Sequence, residues 1–202
     1  MKRFMTVAVA AAVLTLASVP ARAANVSFTG SFSGVNDVQL FTFTLAANSN
    51  VTLRTWSYAG GVNAAGNTIA RGGFDPVLAL FAGLGPGAIL IGGNDDGLGV
   101  ATDPTTGLAL DSFATFMPLL AGTYTLALSE VANFANGPTL GDGFLGFGNP
   151  GFDGRSSRFA VDLLGVTGAT LIPVPSTLAL SLLGLAITGV GLSARRRSTS
   201  TV

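Results

Sequence analysis

The chain has 202 residues, neither histidine nor cysteine, and ten basic groups against ten acidic ones. That composition excludes disulfides, histidine- or cysteine-based nucleophiles and ordinary zinc sites. The formal neutrality hides a division: residues 24–172 hold all ten acids but only Arg54, Arg71, Arg155 and Arg158, a net charge of −6. A domain so acidic offers no basic face to a nucleic acid.

In chain order, Lys2 and Arg3 precede an apolar run from Phe4 to Leu16, and Ala21-Arg22-Ala23 follows. A positive start, an apolar stretch and a small-residue A-x-A site are the three parts of a secretory signal peptide. Residues 1–23 are therefore expected to be a leader helix removed by signal peptidase, with Ala24 as the mature start.

Beyond it the pattern changes to short alternating runs. These are Val26–Phe32, Gln39–Leu45, Val51–Leu53, Val77–Phe81, Ile89–Ile91, Phe113–Met117, Thr123–Ser129 and, last, Arg158–Leu164. Apolar, β-branched and aromatic residues at period two, bounded by Gly, Asn and Asp, predict strands. No amphipathic helical pattern separates them, so the expected fold is all-β, an antiparallel sandwich or jelly roll over residues 24–171. Its roughly 150 residues suffice for one real core. Long Gly-rich connections at 57–73, 92–111 and 132–156 are expected to be functional or mobile loops.

The chain closes with Pro173-Val174-Pro175-Ser176 and an uncharged stretch to Ala194, then Arg195-Arg196-Arg197 and the polar tail 198–202. Nineteen residues at about 1.5 Å each reach roughly 28 Å as a helix, close to a hydrocarbon core of about 30 Å. Prolines suit the approach to such a helix and Ser176 can cap it. The three arginines supply the positive side that stays in the cytoplasm. A membrane helix over 176–194 is expected, with residues 24–172 on the far side of the inner membrane.

Pro-x-Pro-Ser-Thr-Leu-Ala-Leu, a Leu/Gly-rich segment and a terminal arginine cluster together resemble the PEP-CTERM sorting domain of Gram-negative bacteria, over residues 172–197. The resemblance implies a temporary anchor, recognised by a membrane-embedded exosortase and cut near the proline motif, with exopolysaccharide or the cell envelope as setting. Here Val174 stands where that motif has glutamate. Three inner blocks, NDVQLFTFTL, GGFDPVLALF…IGGNDDG and LAGTYTLALS, are similar to those of bacterial pre-peptidase C-terminal-like domains. That resemblance, over residues 36–129, implies a small secreted β-sandwich, mostly without catalytic activity.

The residues themselves leave little room for an enzyme. The only lysine is Lys2, in the leader, and neither Asp-Thr-Gly nor Asp-Ser-Gly occurs. Glu130 with one aspartate could form a glycosidase pair, but no motif supports one, and no catalysis is expected.

Two binding readings remain. Asp75, before Pro76, and Asn94-Asp95-Asp96-Gly97 put oxygen ligands on neighbouring turns, which suits Ca²⁺; Asp103, Asp111, Asp142 and Asp153 lie in other loops. The alternative is that each Asp only braces a turn. Trp56 and Tyr58, beside Arg54, are candidates to stack on sugar rings; the alternative is that they cover the rim of the core. The expectation is an exported structural or interaction protein of the cell surface or matrix that requires no cofactor, or alternatively a calcium- or carbohydrate-binding module.

Overall fold

The computed structural model describes residues 23–173. Within them the chain is all-β and antiparallel. It contains β1 (Ala24–Ser31), β2 (Gln39–Leu45), β3 (Ser49–Thr55), β4 (Gly61–Val62), β5 (Thr68–Ile69), β6 (Pro76–Ala82), β7 (Ile89–Asn94), β8 (Phe113–Leu119), β9 (Gly122–Glu130), β10 (Arg158–Val166) and β11 (Gly168–Ile172). Two short 3-10 turns, Leu140–Asp142 and Pro150–Gly154, are the helical elements among the described residues.

Two sheets and a small ribbon result. The first sheet has the order β1-β10-β3-β8, the second β11-β2-β9-β6-β7, and β4 pairs with β5. Alternation decides which side chains enter the space between the sheets. From β2 these are Phe41, Phe43 and Leu45; from β3, Val51 and Leu53; from β9, Leu126 and Leu128; from β10, Phe159, Val161 and Leu163. All are buried. Both sheets thus contribute to one core, and each fully buried Leu or Phe stabilises it by about 1.5–3 kcal/mol.

β6 and β9 depart from simple alternation, with nearly every residue buried. The reason is a second apolar layer on the outer face of the five-stranded sheet. Ala79, Phe81 and Ala127 point there, and Leu140 and Phe144 of the connection after β9 pack over them. Much of the long loop 132–156 is therefore a roof.

All eight expected strands are present, with β2 at the expected bounds. The chain does not leave the domain at Leu164: β10 runs to Val166, and β11 then pairs with β2 from Gly168↔Thr44 to Ile172↔Leu40. Pro173, which has no N–H to continue a ladder, follows at once. Of the expected leader and its processing site, Ala21 lies outside the described residues, Ala23 precedes β1, and Ala24 opens it. Val174, Pro175, Ser176, the 176–194 helix and Arg195, Arg196 and Arg197 also lie outside them. Among the described residues no helix is long and apolar enough to cross a membrane.

Candidate functional site

Hairpin register brings the first candidate residues together. β6 and β7 pair with Leu78 opposite Asn94, so the residue before β6 and those after β7 meet at one end of the sheet. Asp75 lies at the first position, Asp95 and Asp96 at the second. One carboxylate oxygen from each lies within 4.8 Å of the other two. The turn after β7 is fixed by β8 and the segment before it. Asn94 Oδ1 accepts from Phe113 N–H at 2.7 Å, and Asn94 Nδ2 donates to the Asp96 carbonyl at 3.3 Å. The Ser112 hydroxyl lies 2.6 Å from the carbonyl oxygens of both Pro76 and Asp95. Gly97 packs on the Phe113 backbone where a Cβ would not fit. Asn94 is thus a brace of the turn, and the carboxylates form the cluster.

Hydrogen bonding separates these aspartates from the others. Asp37 accepts from the N–H groups of Ser33 and Gly34, and Asp142 from Thr139 N–H and Oγ1. Asp111 accepts from the N–H groups of Ser57, Tyr58 and Ala59 and from Thr55 Oγ1. Asp162 accepts from Ser27 Oγ, Trp56 Nε1 and Ala64 N–H. Asp103 is buried and takes Thr105 N–H, Arg155 at 2.7 Å and Arg71 at 3.5 Å; the bonds from Thr105 and Arg155 hold its carboxyl below the usual range. For these five the turn-bracing alternative describes what the side chain does. Asp75 Oδ1 and Asp95 Oδ1, in contrast, are buried and accept no hydrogen bond.

The electrostatics follow. Burial, then the charges of Asp95, Asp96, Glu130 and Asp111, push the Asp75 carboxyl up to about 8. Burial and Asp96 raise Asp95 as well. Both arginine–aspartate ion pairs among the described residues go to Asp103, and none reaches the cluster. A buried carboxylate without a donor is stable only if it takes a proton or meets a cation.

Glu130 extends the acidic region. It ends β9 on the face of Leu126 and Leu128 and is 1% exposed. Its Oε2 accepts from Asn149 N–H at 2.7 Å; burial nevertheless raises it to about 7, with Asp153 and Asp95 adding to the shift. Glu130 and Asp75 both line a cavity of about 330 Å³, together with Asp153, Phe152, Tyr58 and Arg155. Phe152 and Asp153 have left-handed backbones, φ 54° and 52°, between Gly151 and Gly154. Such a conformation costs roughly 1–2 kcal/mol for each non-glycine residue. The sequence signal for Glu130 was its period: it continues the buried face of β9.

Trp56 and Tyr58 are each engaged within the domain. Tyr58 is buried, its hydroxyl meets Thr106 Oγ1, and the Arg155 guanidinium lies 3.6 Å from its ring centroid. Arg54 covers Trp56 at the same distance, Gly61 packs on its six-membered ring, and its Nε1 is bound to Asp162. Both rings close the domain's rim, because the chain turns inward after β3 under the hold of Asp111.

No protein-family model matches the chain, and no curated protein matches it significantly.

Proposed function

We propose that this is an exported, non-catalytic surface or matrix protein, delivered across the inner membrane and sorted through its PEP-CTERM-like tail. The strand orders β1-β10-β3-β8 and β2-β9-β6-β7 are read as a jelly-roll sandwich, with β11 added at one edge. The observation that carries the reading is how the domain fits between the two expected processing points. β1 begins at Ala24 and β11 ends at Ile172, so cuts before Ala24 and within Pro173-Val174-Pro175 leave every strand whole. Partners on this reading are signal peptidase, an exosortase-type enzyme, the inner membrane and exopolysaccharide. In a host with an exosortase, intact-mass measurement of the exported fraction should give a chain from Ala24 to near Val174. Recovery of that fraction with residues 178–192 attached would make the tail a permanent anchor.

A second reading is favoured by the unsatisfied oxygens of Asp75 and Asp95: the cluster with Asp96 holds a divalent cation of the calcium class. Ca²⁺ takes six to eight hard oxygen ligands, and extracellular modules bind it at about 10⁻⁴–10⁻³ M. At ten times its dissociation constant the ion would stabilise the fold by about 1.4 kcal/mol. Asp95→Asn should abolish that gain while raising the melting temperature in chelator, since it removes an uncompensated charge. A melting temperature unchanged by about 10 mM Ca²⁺ excludes a site of this affinity.

A further inference from the structure

The 330 Å³ cavity shares Asp75 with the aspartate cluster but has a different chemistry. Three carboxylates line it: Asp75, Glu130 and Asp153. They do not meet at the spacing that a single metal ion needs; among the described residues only Asp75, Asp95 and Asp96 do. The cavity therefore spreads its negative groups around a volume larger than an ion.

Part of the hydrogen-bonding capacity of these carboxylates is unused. Glu130 is 1% exposed, and only its Oε2 is engaged, by Asn149. Asp153 takes one bond, from Asn149 Nδ2 at 2.9 Å. The one cation in the wall, Arg155, is committed to Asp103 and to the carbonyls of Tyr58 and Gly73. The remaining wall is Leu108, Leu110 and the ring of Phe152, with Tyr58 and Thr106, whose hydroxyls are bonded to each other.

We propose that this cavity binds a primary ammonium group on an aliphatic stem. An ammonium has three donors and no acceptor, matching the carboxylates of Asp153 and, once ionised above about pH 7, of Glu130. Its charge meets the carboxylates, its stem meets the leucines, and an aromatic ring nearby favours a cation. A volume of this size lies at the small end of ligand pockets, about 300–1,000 Å³. The ligand has to come from elsewhere, because residues 24–172 contain no lysine. The left-handed Phe152 and Asp153 put one apolar and one acidic side chain at the same cavity, a use for their strain.

The test is a titration of the full chain with n-butylammonium chloride, in chelator and followed by saturation-transfer NMR and calorimetry. Saturable binding is expected, with n-butanol, the neutral isostere, giving none. Glu130→Gln and Asp153→Asn should each weaken the ammonium by about tenfold or more, the loss expected for one charged partner. Asp153 has only one partner to lose, so its variant reads the site even if Glu130→Gln does not fold. Nα-acetyl-lysinamide binding more tightly than glucosamine would identify a protein lysine as the source, and the reverse order an amino sugar. Equal binding of butanol and butylammonium overturns the proposal, as does unchanged affinity in the Asp153 variant. Because chelator removes divalent ions, the result is independent of the calcium reading.

Discussion

At position 111 a single carboxylate receives three backbone N–H groups and one hydroxyl, all from Thr55 to Ala59. This is where the chain leaves β3 and turns Tyr58 into the rim. Asp111→Ala should leave those buried donors without partners and destabilise the domain by about 3 kcal/mol, given 1–3 kcal/mol for each unsatisfied group. Chemical denaturation would measure it, and a loss below about 1 kcal/mol would mean that water replaces the carboxylate. The aspartates were visible in the sequence, but their division into braces and an unsatisfied cluster was not. Asx chemistry is local, whereas the donors to Asp111 and Asp162 come from 52 to 135 residues away. Asp75 and Asp95-Asp96 were legible as a pair of turns because a hairpin joins them.

At the scale of elements, alternation made the long strands legible. It failed for β11, whose five residues GATLI hold no aromatic and lead straight into the prolines. It failed also for the roof over the outer sheet, whose apolar residues are scattered singly through glycine-rich sequence. Period-two reasoning finds strands that face a core; it does not find a loop that covers one. β11 now makes its own prediction. Ala169 packs on the core, Thr42 and Thr170 hydroxyls meet at 2.8 Å, and Gln39 Nε2 donates to the Ile172 carbonyl at 2.7 Å. A chain ending at Thr167 should be less stable than one ending at Pro173 by roughly 2 kcal/mol, the scale of a substantial single-site loss. It should also associate, because β2 becomes an open edge. Equal melting temperatures and a monomer for both would make β11 an ornament of the fold.

For the whole molecule, the raised carboxyls dictate how stability follows pH. Asp75, at about 8, and Glu130, at about 7, hold protons in the folded state that the unfolded chain releases near its ordinary values of about 4. The folded form thus binds more protons between those limits. Their contribution is complete at the acidic end and is lost as pH rises through about 7 and about 8. Asp103 and Asp142 are lowered and oppose this only in acid below the ordinary aspartate range. In metal-free buffer the melting temperature should therefore fall from about pH 5 to about pH 8.5, and calorimetry across that range checks it. A flat or rising curve would mean that the cluster is compensated in some other way. The end of β11 carries a further, mechanical consequence. Ile172 is the last paired residue among those described, so tension applied from beyond Pro173 reaches this edge strand before it reaches the core. A pull across the sheet would open the β11–β2 ladder from Ile172↔Leu40 towards Gly168↔Thr44, one pair at a time. The domain would yield first at β11, with β9 and β6 still held between neighbours.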